Sequence, residues 1–270
     1  MRLAAIVAVA VAAAAGVFLA IDQGSSGKVT TKPAARAPAR VGLHVDAVPQ
    51  PIRPAFTPGK PRALSERLPP ARWAPVPASV DARTAPAERA PVVSPVDATT
   101  PEGTSNILLV LGTKEDAAGR LWAHVRLPVL PNGTTGWVPR DALGGYGIVE
   151  THLVVDLEHL TATLLRDGRV VFRAPVGIGR PEAPTPKGQF YIRDRLTRYS
   201  SPFYGPLAFG TSARSATLTD WPAGGFIGIH GTNEPELLPG RVSHGCIRLR
   251  NADIVRLGRL MPVGTPVTIV

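Results

Sequence analysis

The sequence predicts a mainly β protein in which residues 148–270 form the largest folded part. Short apolar segments alternate there with polar residues, which is the pattern of half-buried strands. Tight-turn dipeptides such as Asp167-Gly168 separate these segments. Only one segment, beginning at Asn251, has the apolar spacing of a short helix. The length of 270 residues allows one or two folded domains.

The N-terminal segment, residues 1–21, predicts export from the cytoplasm. Arg2 precedes an uncharged apolar run over residues 3–21, which is long enough to cross a bilayer as a helix. The run is either a secretory signal peptide or a retained anchor. Phe18 fits poorly before a cleavage after Ala20, which favours an anchor with Arg2 inside. We expect a location in the cell envelope, with contact to the membrane if the segment is not cleaved.

Residues 22–100 lack hydrophobic periodicity and predict a disordered linker rich in Pro, Ala and Arg. The stretch from Lys28 to Ala90 holds twelve prolines and eleven Lys or Arg residues against four acids. Such a composition disfavours helices and strand ladders. We expect an extended spacer that lifts the folded part away from the membrane.

The net charge of +10 is a second feature of the whole chain. A basic protein can bind nucleic acid, an anionic membrane or an anionic polymer. Zinc-finger spacing, a recognition helix and an aromatic-basic sheet are all missing from the sequence, which argues against nucleic acid. Two interpretations remain: the basic linker contacts anionic wall polymers, or its charge only keeps the linker soluble.

Residues 101–146 predict a small β module. An apolar run at residues 107–111 and the alternating segment at residues 121–126 have the pattern of strands. The stretch Gly136-Trp137-Val138-Pro139 resembles the closing part of a bacterial Src-homology-type β-barrel. A module of about 45 residues is small for independent stability, so we expect it to pack against the next domain.

The C-terminal part contains a series of predicted elements. Residues 197–215 are rich in Ser, Gly and Pro and predict a loop that borders a cleft, with Tyr199, Phe203 and Tyr204 as candidates for its wall. Asn251 is expected to cap the helix. The predicted strands cover residues 152–157, 160–166, 169–176, 225–230 and 266–270, with a further strand starting at residue 190.

The stretch at residues 230–249, HGTNEPELLPGRVSHGCIRL, carries the candidate chemistry. It holds the single cysteine, Cys246, and two histidines, His230 and His244. A thiol becomes a nucleophile when a base removes its proton, and backbone N–H groups stabilise the oxyanion that it creates. A free cysteine is more often a small buried hydrophobe. Export, the polar glycine-containing context and the two nearby imidazoles favour a catalytic role instead.

The motifs H-G-T and S-H-G-C-I-R-L resemble the signature of the L,D-transpeptidase catalytic domain of the YkuD type. The segment at residues 185–190, T-P-K-G-Q-F, is similar to a second family motif. The resemblance implies a β-sandwich-like catalytic domain with one short helix. It also implies that Cys246 is the nucleophile, that His230 accepts and donates the proton, and that the carbonyl of Gly231 orients the His230 ring.

The same resemblance implies the remaining site residues and the function. His244, Gly245 and Cys246 would frame the oxyanion hole. Arg248, which stands where some relatives have Asn, would anchor the loop or bind a substrate carboxylate. The implied activity is peptidoglycan cross-linking between the third residues of donor and acceptor stem peptides, through a cysteinyl thioester. It serves cell wall biogenesis and cell shape, and needs neither a cofactor nor a metal.

Three other interpretations of the same residues remain open. An L,D-carboxypeptidase or amidase would use the same Cys246–His230 pair with water as the acceptor. A wall-binding protein without activity would not need a thiol beside an imidazole. A zinc site made of His230, His244 and Cys246 would use suitable ligand types, but their spacing lacks the usual ligand pairs.

Overall fold

The computed structural model describes residues 70–197, 201–218 and 225–270. All of them belong to one compact unit. The predicted signal or anchor at residues 1–21 and the first part of the predicted linker lie outside the described residues. Within the part that is described, no helix is long and apolar enough to cross a membrane.

Two β-sheets and one helix confirm the predicted mainly β class. The first sheet has seven strands in the order β3-β2-β6-β5-β4-β1-β7. Its strands are β1 Ala71–Pro75, β2 Val80–Arg83, β3 Val92–Val96, β4 Ile107–Glu115, β5 Leu121–Arg126, β6 Thr135–Pro139 and β7 Gly147–Val149.

Strands β1 to β3 contradict the linker prediction for residues 71–100 and the module boundaries of 101–146. Proline was the misleading signal. Pro75 ends β1, and Pro95 lies in β3, an edge strand, where a missing N–H costs no ladder hydrogen bond. Ala74 and Val96 are buried in the core of this sheet. The resemblance to a Src-homology-type barrel stays a prediction.

The second sheet has ten strands in the order β10-β9-β8-β17-β12-β13-β14-β16-β11-β15. Its strands are β8 Thr151–Asp156, β9 Thr161–Arg166, β10 Arg169–Pro175, β11 Gly177–Gly179, β12 Gly188–Leu196, β13 Ala208–Arg214, β14 Phe226–His230, β15 Gly240–Ser243, β16 Ile247–Arg248 and β17 Pro266–Ile269. The helix is α1 Asn251–Leu260.

Strand β12 joins two halves of the second sheet. Its first residues pair with β17, and residues from Ile192 onward pair with β13. Buried side chains from both halves, among them Leu153 and Ile229, belong to one core cluster. Helix α1 adds Ile254 and Leu257 to this core. The predicted β-sandwich-like architecture with a short helix is therefore confirmed.

Local signals predicted this sheet well, with two corrections. Asp167 and Gly168 have φ angles of 51° and 72°, as the tight hairpin between β9 and β10 requires. The loop predicted over residues 197–215 is wrong for β13, whose Ala, Gly, Ser and Thr residues are typical of loops but pair on both sides. The cap assigned to Asn251 is also wrong, because Arg250 holds the cap position and Asn251 is the first helical residue.

The two sheets meet at a seam between β4 and β12. Tyr191 of β12 is fully buried, and its hydroxyl donates to the Ile107 carbonyl at 3.0 Å. Trp73 of β1 packs in the same cluster and leaves no room for a Cβ atom at Gly147 or at Gly264. Gly264 belongs to the turn before β17, so the Trp73 ring lies between residues of the two sheets.

Candidate active site

Strand β14 Phe226–His230 divides its side chains between the core and a cavity. Ile227 and Ile229 are buried in the core of the second sheet. Phe226 and His230 alternate with them and line the cavity. This is the arrangement that the alternation predicted, and it sets His230 on a paired strand rather than on a loop.

The thiol reaches this strand because β16 runs parallel to β14. His230 is paired with Arg248 and Ile229 with Ile247. The segment from residue 231 to residue 246 therefore crosses back to the start of the neighbouring strand. Cys246, just before β16, then lies beside Gly228. The Gly228 N–H donates to Cys246 Sγ at 3.3 Å. His230 and Cys246, which are sixteen positions apart in the sequence, are therefore brought to neighbouring parts of the sheet.

The cavity that these strands border has a volume of about 290 Å³. Phe203 and Tyr204, two predicted wall residues, do line it; the third, Tyr199, lies outside the described residues. The other site residues that reach the cavity are His230, His244, Cys246 and Arg248.

The His230 ring is held from two sides. Nδ1 donates to the Gly231 carbonyl at 2.6 Å, the contact that the resemblance implied. The Tyr204 ring meets it edge-on, with a centroid distance of 4.7 Å. In the neutral ring, a proton on Nδ1 leaves Nε2 as the proton acceptor. Burial lowers the pKa of His230 to about 4, so at neutral pH the imidazole is unprotonated and its Nε2 is free to accept a proton.

Cys246 rests as a thiol rather than as a preformed thiolate. Burial raises the pKa of the Cys246 thiol above its ordinary value, while the Gly228 N–H and the Arg248 charge act in the opposite direction. A neutral thiol therefore lies in the same cavity as a neutral imidazole. This arrangement favours proton transfer during attack, by general-base catalysis, over a stable ion pair.

Two hydroxyl groups hold the chain before Cys246. Ser243 Oγ donates to the Cys246 carbonyl at 2.6 Å and accepts the Gly245 N–H at 3.1 Å. Thr185 Oγ1 donates to the Gly245 carbonyl at 2.7 Å and accepts the Gly179 N–H. Gly245 has a φ of 115°, which a glycine adopts at low cost.

These contacts correct one predicted role. The Gly245 N–H is already used by Ser243, so it does not serve as a donor to an oxyanion in this conformation. The Cys246 N–H is left as the backbone donor of the predicted set that adjoins the thiol. His244 is exposed and contributes to the cavity wall.

Arg248 has one of its two predicted contacts in the structure. Its Nη1 donates to Glu234 Oε2 at 3.0 Å. Glu234 lies in the segment that connects His230 to Cys246, so the ion pair anchors that segment. The positive charge of Arg248 also lowers the pKa of His230, in the same direction as the larger effect of burial. It lowers the pKa of Cys246 too, where burial, the larger effect, raises it.

Sequence reasoning missed three supporting residues. Ser243 and Thr185 stood inside the quoted motifs, and their hydroxyl groups were the available signal. Asn251 was assigned to helix capping; instead its Oδ1 accepts the Thr232 N–H at 2.9 Å and holds the chain just after His230. Nothing in the sequence pattern pointed to that contact.

The zinc interpretation finds no support in the geometry. Over residues 70–197, 201–218 and 225–270, no group of three His, Cys, Asp or Glu side chains could hold a metal ion. His230, His244 and Cys246 line one cavity without forming such a group.

The fold and the site define a β-sheet protein with a histidine at the end of one strand and a cysteine just before the parallel strand beside it. Residues 150–269 match the family model described as the L,D-transpeptidase catalytic domain, YkuD. The chain is 36% identical over 118 residues to the putative L,D-transpeptidase YkuD of Bacillus subtilis, which covers 44% of this chain and 65% of that protein. It is 30% identical over 131 residues to the putative L,D-transpeptidase YqjB of Bacillus subtilis, covering 44% of this chain and 71% of that protein. The chain belongs to the L,D-transpeptidase family, as its motifs predicted.

The chain is also similar to more distant proteins. L,D-transpeptidase 1 of Mycobacterium tuberculosis is 28% identical over 164 residues, which is 56% of this chain and 60% of that protein. The solved catalytic domain of the Enterococcus faecium L,D-transpeptidase is 26% identical, covers 44% of this chain and 96% of its own, and has a TM-score of 0.34. The chain spans just under two thirds of the length of the Bacillus subtilis YkuD protein, at 65%.

Proposed function

We propose that the protein is a peptidoglycan L,D-transpeptidase in which Cys246 is the nucleophile and His230 the general base. The observation that carries this proposal is the 3.3 Å contact between the Gly228 N–H and Cys246 Sγ. That contact puts the thiol beside the strand that bears His230, at the border of one cavity. The family membership supplies the substrate class, which is the stem peptides of peptidoglycan.

The first step forms the acyl-enzyme. His230 Nε2 takes the thiol proton as Cys246 Sγ attacks the carbonyl carbon of the third residue of a donor tetrapeptide. The Cys246 N–H donates to the oxyanion of the tetrahedral intermediate. The amide bond to the terminal D-alanine then breaks, and its amine leaves with the proton from His230. A thioester and free D-alanine result.

The second step transfers the acyl group. The side-chain amine of the third residue in an acceptor stem attacks the thioester carbon, and His230 takes the proton that this amine loses. The carbon–sulfur bond breaks, and Cys246 regains a proton from His230. The product is a cross-link between two third residues. Water in place of the amine would give a tripeptide instead.

Product analysis by mass spectrometry tests this function. The protein is incubated with purified disaccharide-tetrapeptide, and we expect released D-alanine together with cross-linked dimers. Cys246→Ala should yield neither product. Tripeptides without dimers would assign the protein to the carboxypeptidases. The absence of any product from the wild-type protein, with a thiol that resists alkylation, would indicate a wall-binding role.

We also propose that the protein works in the cell envelope. The charge and hydropathy of residues 1–21 support export, and the basic residues between 22 and 69 support contact with anionic wall polymers. Cell fractionation distinguishes the two forms of export. Release from membranes by detergent but not by salt indicates an anchor, and recovery from the medium indicates cleavage. Recovery in the cytoplasm would contradict export.

A further inference from the structure

Arg248 of β16 and Cys246, the residue just before that strand, face the same cavity. Cys246 and Arg248 are two positions apart, and residues with that spacing in an extended chain point to the same side. Both line the cavity, and Arg248 is the residue paired with His230 across β14 and β16. The guanidinium is therefore a fixed part of the site and not a surface group.

The Arg248 guanidinium has more N–H donors than its contact with Glu234 uses. An arginine has five N–H donors. Nη1 is engaged with Glu234, and Nε is buried with no acceptor in the part of the chain that the structure describes. The Arg248 side chain is 19% exposed, so its charge is only partly hydrated. A carboxylate is the ligand that matches such a group in charge and shape.

The position of Arg248 indicates which carboxylate would fit. Arg248 follows Cys246 by two residues, about 6.6 Å along an extended chain. A terminal carboxylate that follows the attacked carbonyl by one residue lies about 3.8 Å further along the substrate, so it stays close to the thiol. Among the described residues that line this cavity, Arg248 is the one with a permanent positive charge.

We propose that Arg248 binds the terminal carboxylate of the leaving D-amino acid and thereby selects donor stems that end one residue beyond the attacked carbonyl. This inference rests on the proposed function. Arg248 is then a specificity-determining residue: it favours a tetrapeptide donor over one in which that carboxylate is an amide, as it is in a longer stem.

The competing explanation is that Arg248 only anchors the segment between His230 and Cys246. Arg250 provides a matched control, since its Nη2 donates to the Leu238 carbonyl of the same segment at 3.2 Å. Arg250 is exposed and does not line the cavity. Glu234→Gln provides a second control, because it weakens the anchoring ion pair and leaves Arg248 in place.

The experiment compares two donors that differ at one group: a tetrapeptide with a free terminal carboxylate and the same peptide with a terminal carboxamide. The rate of Cys246 acylation, as kcat/KM, is measured for the wild-type protein, Arg248→Gln, Arg248→Lys, Arg250→Gln and Glu234→Gln. We expect the wild-type protein to favour the acid by roughly 10- to 100-fold. Arg248→Gln should abolish the preference by slowing the acid, and Arg248→Lys should retain part of it.

The two controls decide between the explanations. Arg250→Gln and Glu234→Gln should keep the wild-type ratio between the two donors. An Arg248→Gln variant that slows both donors by the same factor would overturn the inference and assign Arg248 to loop anchoring. A wild-type protein that acylates both donors equally would also overturn it while leaving the proposed function intact. Acylation by neither donor would overturn both.

Discussion

The two sheets differ in how many polar side chains they bury: most of the buried polar side chains among the described residues belong to the second sheet and its loops. In the first sheet, ion pairs lie at the surface: Arg120 contacts Glu88 and Asp141, all with exposed side chains. In the second sheet, Thr185 and Ser243 are buried and bond to the chain around the nucleophile. Exposed ion pairs contribute about 0–1 kcal/mol, whereas a buried hydroxyl without its partner costs about 1–3 kcal/mol.

The candidate active site is built by only one of the two sheets. Every described residue near the nucleophile belongs to the second sheet or its loops. The first sheet therefore affects the site through residues that contact the second sheet or its loops. Asn132 makes one such contact, because its side-chain amide donates to the Arg214 carbonyl at 2.7 Å and accepts the Arg214 N–H at 2.9 Å. Arg214 directly precedes Ser215, a residue of the cavity wall.

Replacing His230 with Gln should produce the largest effect of any change outside the nucleophile. Loss of the general base should lower the acylation rate by about 10²- to 10⁴-fold. The wild-type rate should be flat near neutral pH and fall as the pH drops through about 4, because protonation of His230 then removes the base. Stopped-flow acylation over a pH series measures both effects.

The control for that variant is His159→Gln, which removes an exposed histidine of the same sheet that pairs with Asp156. It should leave the profile unchanged. A wild-type profile that falls near the ordinary histidine pKa instead would contradict the buried, neutral state of His230.

Replacing Trp73 with Ala tests the seam between the sheets. The indole fills the space beside Gly147 and Gly264, so its removal leaves a cavity and should lower the free energy of unfolding by about 3 kcal/mol. Denaturant titration measures this change. Trp137→Ala is the matched control: its ring stacks on His124 within the first sheet. An equal decrease in the free energy of unfolding in both variants would show that packing at the seam contributes no more than packing within the first sheet.

The sequence was informative where one residue or dipeptide carried the signal. Asp167-Gly168 specified its hairpin, because turn geometry restricts residue type strongly. Cys246 and His230, which the sequence predicted to meet, line one cavity. Strands β1 to β3 were missed because proline and alanine are typical of linkers, although edge strands and strand ends accept both. Amino-acid composition predicted these segments poorly, because pairing with neighbouring strands determines whether they form strands.

The contacts that support the site could not be predicted from local sequence patterns, for a different reason. Thr185 and Gly245 are sixty positions apart, and only the fold brings them together. Asn251 has the residue type of a helix cap, but Gly205 and Gly231 leave room for its side chain, which turns to the Thr232 N–H instead. Such contacts depend on tertiary geometry, which residue types and spacing do not encode directly.

Replacing Thr185 with Val should have a moderate effect on activity. The valine keeps the shape but removes the donor to the Gly245 carbonyl and the acceptor for the Gly179 N–H. With a cost of about 1–3 kcal/mol, we expect the acylation rate to fall about tenfold as the chain before Cys246 loses its support. Thr163→Val is the control, since this buried threonine bonds Arg173 instead. A wild-type acylation rate in Thr185→Val would show that the Thr185 hydroxyl does not support the site.

The smallest expected effect concerns Asp194, a buried residue of β12 near the first sheet. Its Oδ1 accepts the Gly210 N–H at 2.9 Å, while Oδ2 and the Glu102 Oε2 are both buried without donors among the described residues. Burial raises the pKa of Asp194, and the Glu102 charge raises it further. Between the ordinary and the raised pKa, the folded protein therefore keeps a proton that the unfolded chain has released. Stability is full below the ordinary carboxyl pKa and declines as the pH rises through the raised value.

Asp194→Asn supplies an N–H in place of that proton. We expect it to raise the free energy of unfolding at pH 7 by about 1 kcal/mol and to flatten its decline with pH. Unfolding titrations at several pH values measure both changes. Asp97→Asn, at an exposed carboxylate of the first sheet, should leave the slope as it is. An unchanged slope in Asp194→Asn would mean that Asp194 does not cause the decline of stability with pH.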